Sequence, residues 1–235
     1  GTDFSWDNPE QAKNPFLNRD PRLYETFILD GDKYNGRTAA LTEALASDPV
    51  NYPQGADWAQ GGSTHVLSLG TGLACRKWGL DRNTEWKNRP IQWPFLRLAE
   101  IYLSYAEALN EYNGSPNAQA YDAVDKVRAR VNLPGLKKGL GQKEFREALL
   151  RERACEFGYE EVRFFDLIRW KLYNVFEKQL HGLHVYKHKD TGEYKFVPYP
   201  RVWWTSGFEP RWCLSAFPSV EINKGYGLVQ NPGWE

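Results

Sequence analysis

The spacing of apolar residues becomes helical after Pro94. Apolar side chains then recur at steps of three and four residues until the sequence NGSPN interrupts them, at Leu98, Ile101, Tyr102, Tyr105, Ala106 and Leu109. This spacing puts them on one face of a helix, which we predict over about residues 94–112. A second helix is predicted after Pro116, which suits a first helical turn, and it ends before NLPG. Its apolar face consists of Ala120, Val124 and Val127. The two helices form a hairpin with a short turn.

Two more helices are predicted before residue 175. The third follows LGQ, carries Phe145 and Leu149 on one side, and stops or bends near Gly158. The fourth covers about residues 161–173 and carries Val162, Phe165, Leu167, Ile168 and Leu172. Four consecutive helices in antiparallel pairs indicate a bundle or an α-α superhelix of the tetratricopeptide kind, although no clear 34-residue repeat is present. The sequence therefore predicts a mainly α fold.

The segments on either side of the helices have a different pattern. Residues 1–92 are rich in Pro, Gly, Asn and Asp, which predicts loops with a few short strands; the strand candidates are 22–29 and 64–78. Residues 176–235 alternate around Asp190-Thr191-Gly192-Glu193, which predicts a β-hairpin followed by an irregular tail. We therefore divide one domain into a loop-rich region 1–92, a helical core 93–175, and a hairpin and tail 176–235.

Composition narrows the class of partner. In 235 residues, 30 Lys and Arg balance 30 Asp and Glu, so no basic field draws the chain to nucleic acid or to an anionic membrane. Aromatic residues make up 15% of the chain, which is more rings than a small core hides, so we expect some of them to face a ligand or a partner.

Cysteine usage and the chain start add little about chemistry. The three cysteines are odd in number and lack CxxC spacing, which argues against a disulfide framework or a zinc knuckle. No run approaches the roughly 20 apolar residues that span a bilayer, and no signal segment opens the chain. Because the chain starts with Gly and contains no Met, we expect a processed or truncated form.

The stretch ERACEFGYEEVRFFDLIRW, residues 152–170, is the first candidate for acid–base chemistry. Glu152 and Glu156 are four residues apart and share a helix face, an arrangement that would suit a carboxylate pair for acid–base catalysis. Nearby arginines would keep both acids ionised, and an aspartate lies between two of them at three-residue steps. These residues are Arg151, Arg153, Arg163, Asp166 and Arg169. The pattern favours a structural ion-pair network over catalysis.

Other catalytic or metal-binding patterns are weak. His181, His184 and His188 could supply zinc ligands on a helix, but Gly182 and the β alternation favour loop histidines, so no metal site is predicted. The chain has no nucleophile elbow, phosphate loop or dinucleotide fingerprint, so no cofactor is expected either.

Aromatic residues in the N-terminal loops suggest a binding surface. A flat ring stacks on the apolar face of a sugar, and amide or carboxylate groups beside it satisfy the hydroxyls. Any one of these rings is more often packing, but as a group large exposed rings favour use in binding. The predicted ligand-binding residues are the rings Tyr34, Tyr52, Trp58 and Trp86 with the polar neighbours Gln54, Asp57 and Asn83.

Five ordered segments resemble the RagB/SusD family. They are NRDPRLYETFILDG, LRLAEIYLSYAEALNEYNG, AYDAVDKVRARVNLPGL, FREALLRERACEFGYEEVRFFDLIRW and AFPSVEINKGYGLVQNPGW, and together they extend over nearly the whole chain. The resemblance implies a mainly α fold of tetratricopeptide-like helix pairs with loop-rich insertions. It also implies that the N-terminal half of the family, with its signal peptide and lipid-bearing cysteine, is absent here.

The resemblance further implies a function. Members of the family bind glycans or other nutrients without cleaving them, as lipid-anchored proteins on the outer face of the outer membrane, and they cover a SusC-like TonB-dependent β-barrel transporter. Their ligand-binding residues lie in variable loops, so the motifs transfer no site residue. The main alternative is a protein-interaction scaffold or lid on the transporter, and a glycoside hydrolase using Glu152 and Glu156 is a third hypothesis.

Overall fold

A computed structural model describes residues 3–34, 36–58, 72–78, 94–200 and 208–235. Within these ranges the helices are α1 Pro9–Lys13, α2 Pro21–Thr26, α3 Leu98–Asn113, α4 Ala118–Ala129, α5 Gln142–Glu156, α6 Val162–Arg169 and α7 Ser219–Ile222. The strands are β1 Phe27–Ile28, β2 Lys33–Tyr34, β3 Arg37–Thr38, β4 Ala74–Cys75, β5 His181–Lys187 and β6 Tyr194–Pro200. The predicted mainly α fold with a β-hairpin insertion is confirmed.

The main hydrophobic core lies where α3 packs against both α4 and α5. Buried side chains from these three helices and from the turn after α5 fill it: Leu103, Ala106, Ala120, Tyr121, Ala123, Val124, Val127, Phe145, Leu149 and Phe157. Within it the rings of Tyr121 and Phe145 meet edge to face with centroids 5.1 Å apart. The predicted apolar stripes of the helices therefore do face one core.

Local signals set the helix ends. Gly114 ends α3 with a φ of 70°, a left-handed conformation that costs glycine little, and the side chain of Asn117 accepts a hydrogen bond from Ala120 N to cap α4. Pro116 thus lies just before the cap, whereas the sequence pattern predicts it in the first helical turn. Glu144 accepts a hydrogen bond from Gly141 N at the start of α5.

The prediction of a strand over residues 22–29 was largely wrong. Asp20 accepts a hydrogen bond from Arg22 N, and Pro21 occupies the first helical position, so α2 forms there and only Phe27–Ile28 is a strand. An Asp-Pro pair supplies both an N-cap and a preset first φ, which outweighs the β-forming residues that follow. In the second strand candidate, the described part contains β4, which pairs antiparallel with β1.

The predicted C-terminal hairpin is confirmed. Strands β5 and β6 pair antiparallel with His181 opposite Pro200 and Lys187 opposite Tyr194. Its turn is closed by hydrogen bonds from His188 N to Glu193 O and from Gly192 N to His188 O, both 2.9 Å. The segment 39–45 lies against it, since Glu43 N donates to Val185 O. The hairpin is thus held against the N-terminal loops.

The N-terminal region is also attached to the helices. The Lys77 ammonium donates to the carbonyl oxygen of Gly158, 2.8 Å away, and Arg22 of α2 reaches α5. A small second core of Ile28, Ala39, Leu41 and Ala74 holds the short strands together. None of the described helices is both long and apolar enough to cross a membrane. The division into regions 1–92, 93–175 and 176–235 stays a prediction.

Candidate functional site

The predicted loop residues lie along one folded-back segment. Residues 40–45 run beside 52–57, with hydrogen bonds from Asp57 N to Ala40 O (2.9 Å) and from Leu45 N to Tyr52 O (3.1 Å). Tyr52 and Asp57 are therefore at opposite ends of this pairing. The described members of the predicted set thus form two groups, with Tyr52 at one end and Asp57 and Trp58 at the other.

The carboxylate of Asp57 is engaged inside the protein. It is buried and accepts hydrogen bonds from both terminal nitrogens of the Arg37 guanidinium. It also accepts a hydrogen bond from the backbone amide of Ala40, at 2.9 Å. The hydrogen bonds between Arg37 and Asp57 raise the pKa of Arg37. Because such a bidentate pair fixes the β2–β3 hairpin to the returning loop, Asp57 has a clear structural role. Its predicted contact with a ligand stays a prediction.

The other predicted residues differ in exposure. Gln54 is exposed, whereas Trp58 and Tyr34 are half-buried, and Tyr34 packs against the small second core. The backbone amide of Trp58 donates to Gly55 O. Asn83 and Trp86 lie outside the described residues.

Tyr52 faces a polar cavity of about 330 Å³ next to the C-terminal hairpin. Its ring meets that of His188 edge to face at 5.2 Å between centroids, which holds the phenol against the hairpin turn. The cavity is lined by Ala12, Lys13, Tyr52, Glu193, Tyr194, Lys195 and Phe196. A half-buried ring with charged groups of both signs around it is suited to a polar ligand that has an apolar face.

A second cavity, here called the hairpin cavity, adjoins the first and shares Tyr194 and Phe196 with it. It has a volume of about 310 Å³ and is lined by Asn14, Pro15, Phe16, Leu17, Tyr24, Leu29, Asp30, Gly72, Val185, Tyr194 and Phe196. Tyr194 and Phe196 are two residues apart on β6 and so point to the same face. Their rings are nearly parallel, 5.6 Å between centroids and 10° between planes. The loop-based prediction missed this pair, although the alternation in YKFVPY already placed both rings on one face.

A buried carboxylate lies in the wall of the hairpin cavity. The side chain of Asp30 is only 6% exposed. Its Oδ1 accepts a hydrogen bond from the backbone amide of Leu41, and its Oδ2 accepts one from the Tyr194 hydroxyl, both at 2.7 Å. The Lys187 ammonium lies 3.5 Å from Oδ2. Burial and the hydrogen bond to Asp30 raise the pKa of Tyr194, so its phenol stays protonated and acts as the donor.

The candidate catalytic pair lies in a different place and in a different environment. Nη1 of Arg22 donates to both Glu152 (2.7 Å) and Glu156 (2.9 Å), so a single guanidinium nitrogen joins the two acids. Glu156, whose side chain is fully buried, also accepts hydrogen bonds from Arg97 and Arg130, and Glu152 accepts one from Arg128. The predicted ion-pair network is confirmed in kind, but the arginines that reach Glu152 and Glu156 come from outside residues 151–169.

Asp166 is the second centre of this network. It accepts hydrogen bonds from Nε of Arg153 on α5 and from Nη2 of Arg169 on its own helix, both at 2.8 Å. Arg169 also donates to Glu107 of α3. The predicted second partner, Arg163, donates instead to the carbonyl oxygen of Leu150, at 3.4 Å. Asp166 therefore ties α6 to α5 and, through Arg169, to α3.

These acids are poorly suited to glycoside hydrolysis. A cavity of about 610 Å³ does lie beside Glu152, lined in part by Asp20, Arg128, Arg151 and Cys155. Burial alone would raise the pKa of Glu156, but hydrogen bonds from Arg97 and Arg22 outweigh it, and the pKa lies below its usual range. A general acid needs the opposite shift.

The histidines are placed on and beside the hairpin. His184 forms a hydrogen bond through Nδ1 with the Glu43 carboxylate and stacks on Tyr199 at 4.1 Å between ring centroids. The Nδ1 of His188 accepts the backbone amides of Asp190 and Thr191 in the turn. No group of three or more potential metal ligands occurs among the residues that the structure describes.

Comparison with known proteins identifies the class. The model of the SusD family matches residues 5–234, and the chain belongs to this family. The chain is similar to SusD-like protein P25 of Formosa agariphila, with 42% identity over 97 residues, which are 40% of this chain and 18% of that protein. It is 29% identical to a SusD-like protein of Bacteroides ovatus over 109 residues, 43% of this chain and 19% of that protein.

Solved structures agree with this placement. A SusD-like protein from Bacteroides fragilis superposes with a TM-score of 0.64 at 27% identity, covering 93% of this chain and 40% of that one. A SusD-like carbohydrate-binding protein from the same species shares the fold with a TM-score of 0.59 at 23% identity, covering 91% and 44%. The chain thus spans less than half the length of these solved relatives.

Proposed function

We propose that this chain is part of a non-catalytic glycan- or nutrient-binding subunit of an outer-membrane uptake complex, which passes its ligand to a SusC-like TonB-dependent transporter. Membership of the SusD family supports the class, and a carbohydrate-binding structural relative suggests the ligand. The whole protein would be held on the outer face of the membrane by a lipid anchor. The observation that carries the proposal is the Tyr52 ring in the wall of a polar cavity.

The chemistry of that cavity fits an oligosaccharide. Sugars present an apolar ring face and many hydroxyls, and they bind where an aromatic ring and polar groups converge. Tyr52 provides the ring, while Lys13, Glu193 and Lys195 provide a donor, an acceptor and a second donor. Trp58 and Tyr34 would extend the binding surface at the other end of the loop, with Gln54 as a polar neighbour.

Titration calorimetry against a panel of plant and bacterial oligosaccharides tests the proposal. We expect Tyr52→Ala and Trp58→Ala each to weaken binding about threefold to tenfold, as for the loss of one stacked ring. Tyr112→Ala is the matched control, because Tyr112 is 90% exposed on α3 and lines neither cavity at the hairpin. Unchanged affinity in both variants would exclude these rings as the ligand contacts.

A scaffold or lid whose main partner is the transporter is the second candidate. It is favoured by large apolar side chains that remain exposed on and beside α3 and α6: Phe95, Leu96, Leu98, Tyr112, Phe164 and Phe165. Monomeric proteins expose few such patches, and protein interfaces use them. Co-purification of the full-length protein with a β-barrel, together with no saccharide binding by this chain, would favour this role over the first.

A further inference from the structure

We propose that the hairpin cavity is a binding pocket for one ring of a neutral saccharide, with Phe196 and Tyr194 as the stacking wall and Asp30 as a hydrogen-bond acceptor. The ligand class rests on the proposed function. The position goes beyond it, because Asp30 lies outside the polar cavity at Tyr52 and none of the three residues belongs to the loop surface predicted from the sequence.

The walls of the cavity are aromatic and rigid. Phe196 is held by Phe16, whose ring meets it edge to face at 5.7 Å between centroids, and by the parallel ring of Tyr194. Tyr24 donates its hydroxyl to Phe16 O, which ties Tyr24 to the segment that carries Phe16. Rings that are held in place lose little entropy on binding, so they stack on a sugar face at low cost.

The carboxylate of Asp30 has capacity left for a ligand. An ionised carboxylate has about four lone-pair positions. Among the described residues, three donors reach it, namely Leu41 N, the Tyr194 hydroxyl and the Lys187 ammonium. One position therefore remains for a hydroxyl group. Because Lys187 already offsets the charge of Asp30, the pocket favours a neutral donor over a cation.

Size and connection fit one ring of a longer chain. The volume of about 310 Å³ is at the lower end of the range for small-molecule sites, about 300–1,000 Å³. Tyr194 and Phe196 also line the polar cavity at Tyr52, so the two cavities are neighbours. An oligosaccharide could therefore place one ring in the hairpin cavity and the next beside Tyr52.

Two-dimensional NMR of the 235-residue chain tests this pocket, with methyl glucoside, methyl galactoside, methyl mannoside, maltose and cellobiose as probes. At least one probe should shift the backbone amide signal of Gly72, which lines the cavity. Phe196→Leu keeps an apolar side chain but removes the flat face, and we expect it to weaken that binding about threefold to tenfold. Phe16→Leu tests the same cavity if the first variant does not fold, and Phe16 lines only this cavity of the two.

Two further variants provide the controls. Phe217→Leu removes a ring in the C-terminal tail, away from this cavity, and should leave affinity unchanged within about twofold of the wild type. Trp58→Ala changes the loop surface only and should leave the Gly72 response intact. Circular dichroism confirms that each variant is folded before its affinity is compared.

The outcomes separate this pocket from the proposed function. If probes bind and Trp58→Ala weakens them while Phe196→Leu and Phe16→Leu do not, the pocket proposal is overturned and the proposed function stands. If the Gly72 signal responds and only the two cavity variants weaken it, the pocket is supported. If no probe shifts the Gly72 signal but the oligosaccharide panel still binds in calorimetry, the pocket proposal is overturned and the proposed function stands. If nothing binds in either assay, both proposals are overturned.

Discussion

Two regions of this protein gather charged and aromatic side chains, and they use them in opposite ways. At the helix junction, meaning Glu152, Glu156 and Asp166 with their arginines, the acids are almost fully buried and each accepts hydrogen bonds from at least two guanidinium groups. In the hairpin cavity the single carboxylate, Asp30, is accompanied by rings that border open space.

The difference concerns where hydrogen-bonding capacity is used. At the junction, the hydrogen bonds are made between parts of the protein itself, so the acids link α2, α3, α5 and α6. In the hairpin cavity, apolar ring surface is left open and can be covered by a ligand. Density of charge in a sequence therefore marks a structural junction here, whereas paired rings on one strand face mark the candidate binding surface.

The largest expected effect is at the centre of the junction. Asp166→Ala leaves the buried Arg153 guanidinium without its carboxylate and should lower the free energy of unfolding by about 3–5 kcal/mol. Urea denaturation measures this loss, and saccharide affinity should stay unchanged under native conditions. Asp122→Ala is the matched control, because its pair with Lys126 is exposed to solvent and should contribute little to stability. Equal losses in the two variants would contradict the structural role of Asp166.

Acid should weaken the junction in a defined direction. Because the pKa of Glu156 is lower in the folded than in the unfolded chain, its contribution to stability is complete above about pH 4.5. The contribution is lost as the pH falls through the lower, folded value. We expect Glu156→Gln to cost about 1.5–3 kcal/mol at pH 7 and to make the fall in stability below pH 4.5 shallower than in the wild type.

Unfolding free energies of the wild type and Glu156→Gln, measured between pH 7 and pH 3, check this prediction. Parallel pH profiles for the two proteins would show that Glu156 is not a source of acid sensitivity.

The smallest expected effect is at an arginine two positions from Arg153. Arg151 is 71% exposed and pairs with Asp3, which is 80% exposed, so solvent screens their attraction. Arg151→Ala should change the free energy of unfolding by less than about 0.5 kcal/mol, whereas Arg153→Ala should approach the loss seen for Asp166→Ala. Thermal unfolding of both variants checks whether the loss of stability depends on burial of the arginine and not on its position in the charged stretch. Comparable losses for Arg151→Ala and Arg153→Ala would contradict the role of burial.

The helices were predictable because their determinants are local. Apolar residues at three- and four-residue steps, Gly114 after α3 and the hairpin turn all act within a few residues. The predicted helices and the hairpin all formed, although α3 begins at Leu98 instead of about residue 94 and α6 ends at Arg169 instead of about residue 173. The strand predicted over residues 22–29 was largely wrong for an equally local reason, because Asp20 and Pro21 together start a helix there.

The partners of the buried acids were not predictable in the same way. Helix spacing limits contacts to three or four residues and pointed to Arg163 and Arg169. The arginines that reach Glu152 and Glu156 from α2, α4 and the start of α3 lie between 24 and 134 residues away. Likewise, the predicted loop set was divided, because the fold-back of residues 40–57 separates Tyr52 from Asp57.

The sequence by itself determined the helical class, the hairpin, the SusD resemblance and the structural character of the charged stretch, since periodicity, turn chemistry and charge balance are properties of neighbouring residues. Only the tertiary structure decided which arginines neutralise Glu152 and Glu156, and that Tyr194 and Phe196 adjoin both Tyr52 and Asp30. The physical reason is that packing brings together groups far apart in the chain, and buried charge and open ring surface exist only after that packing.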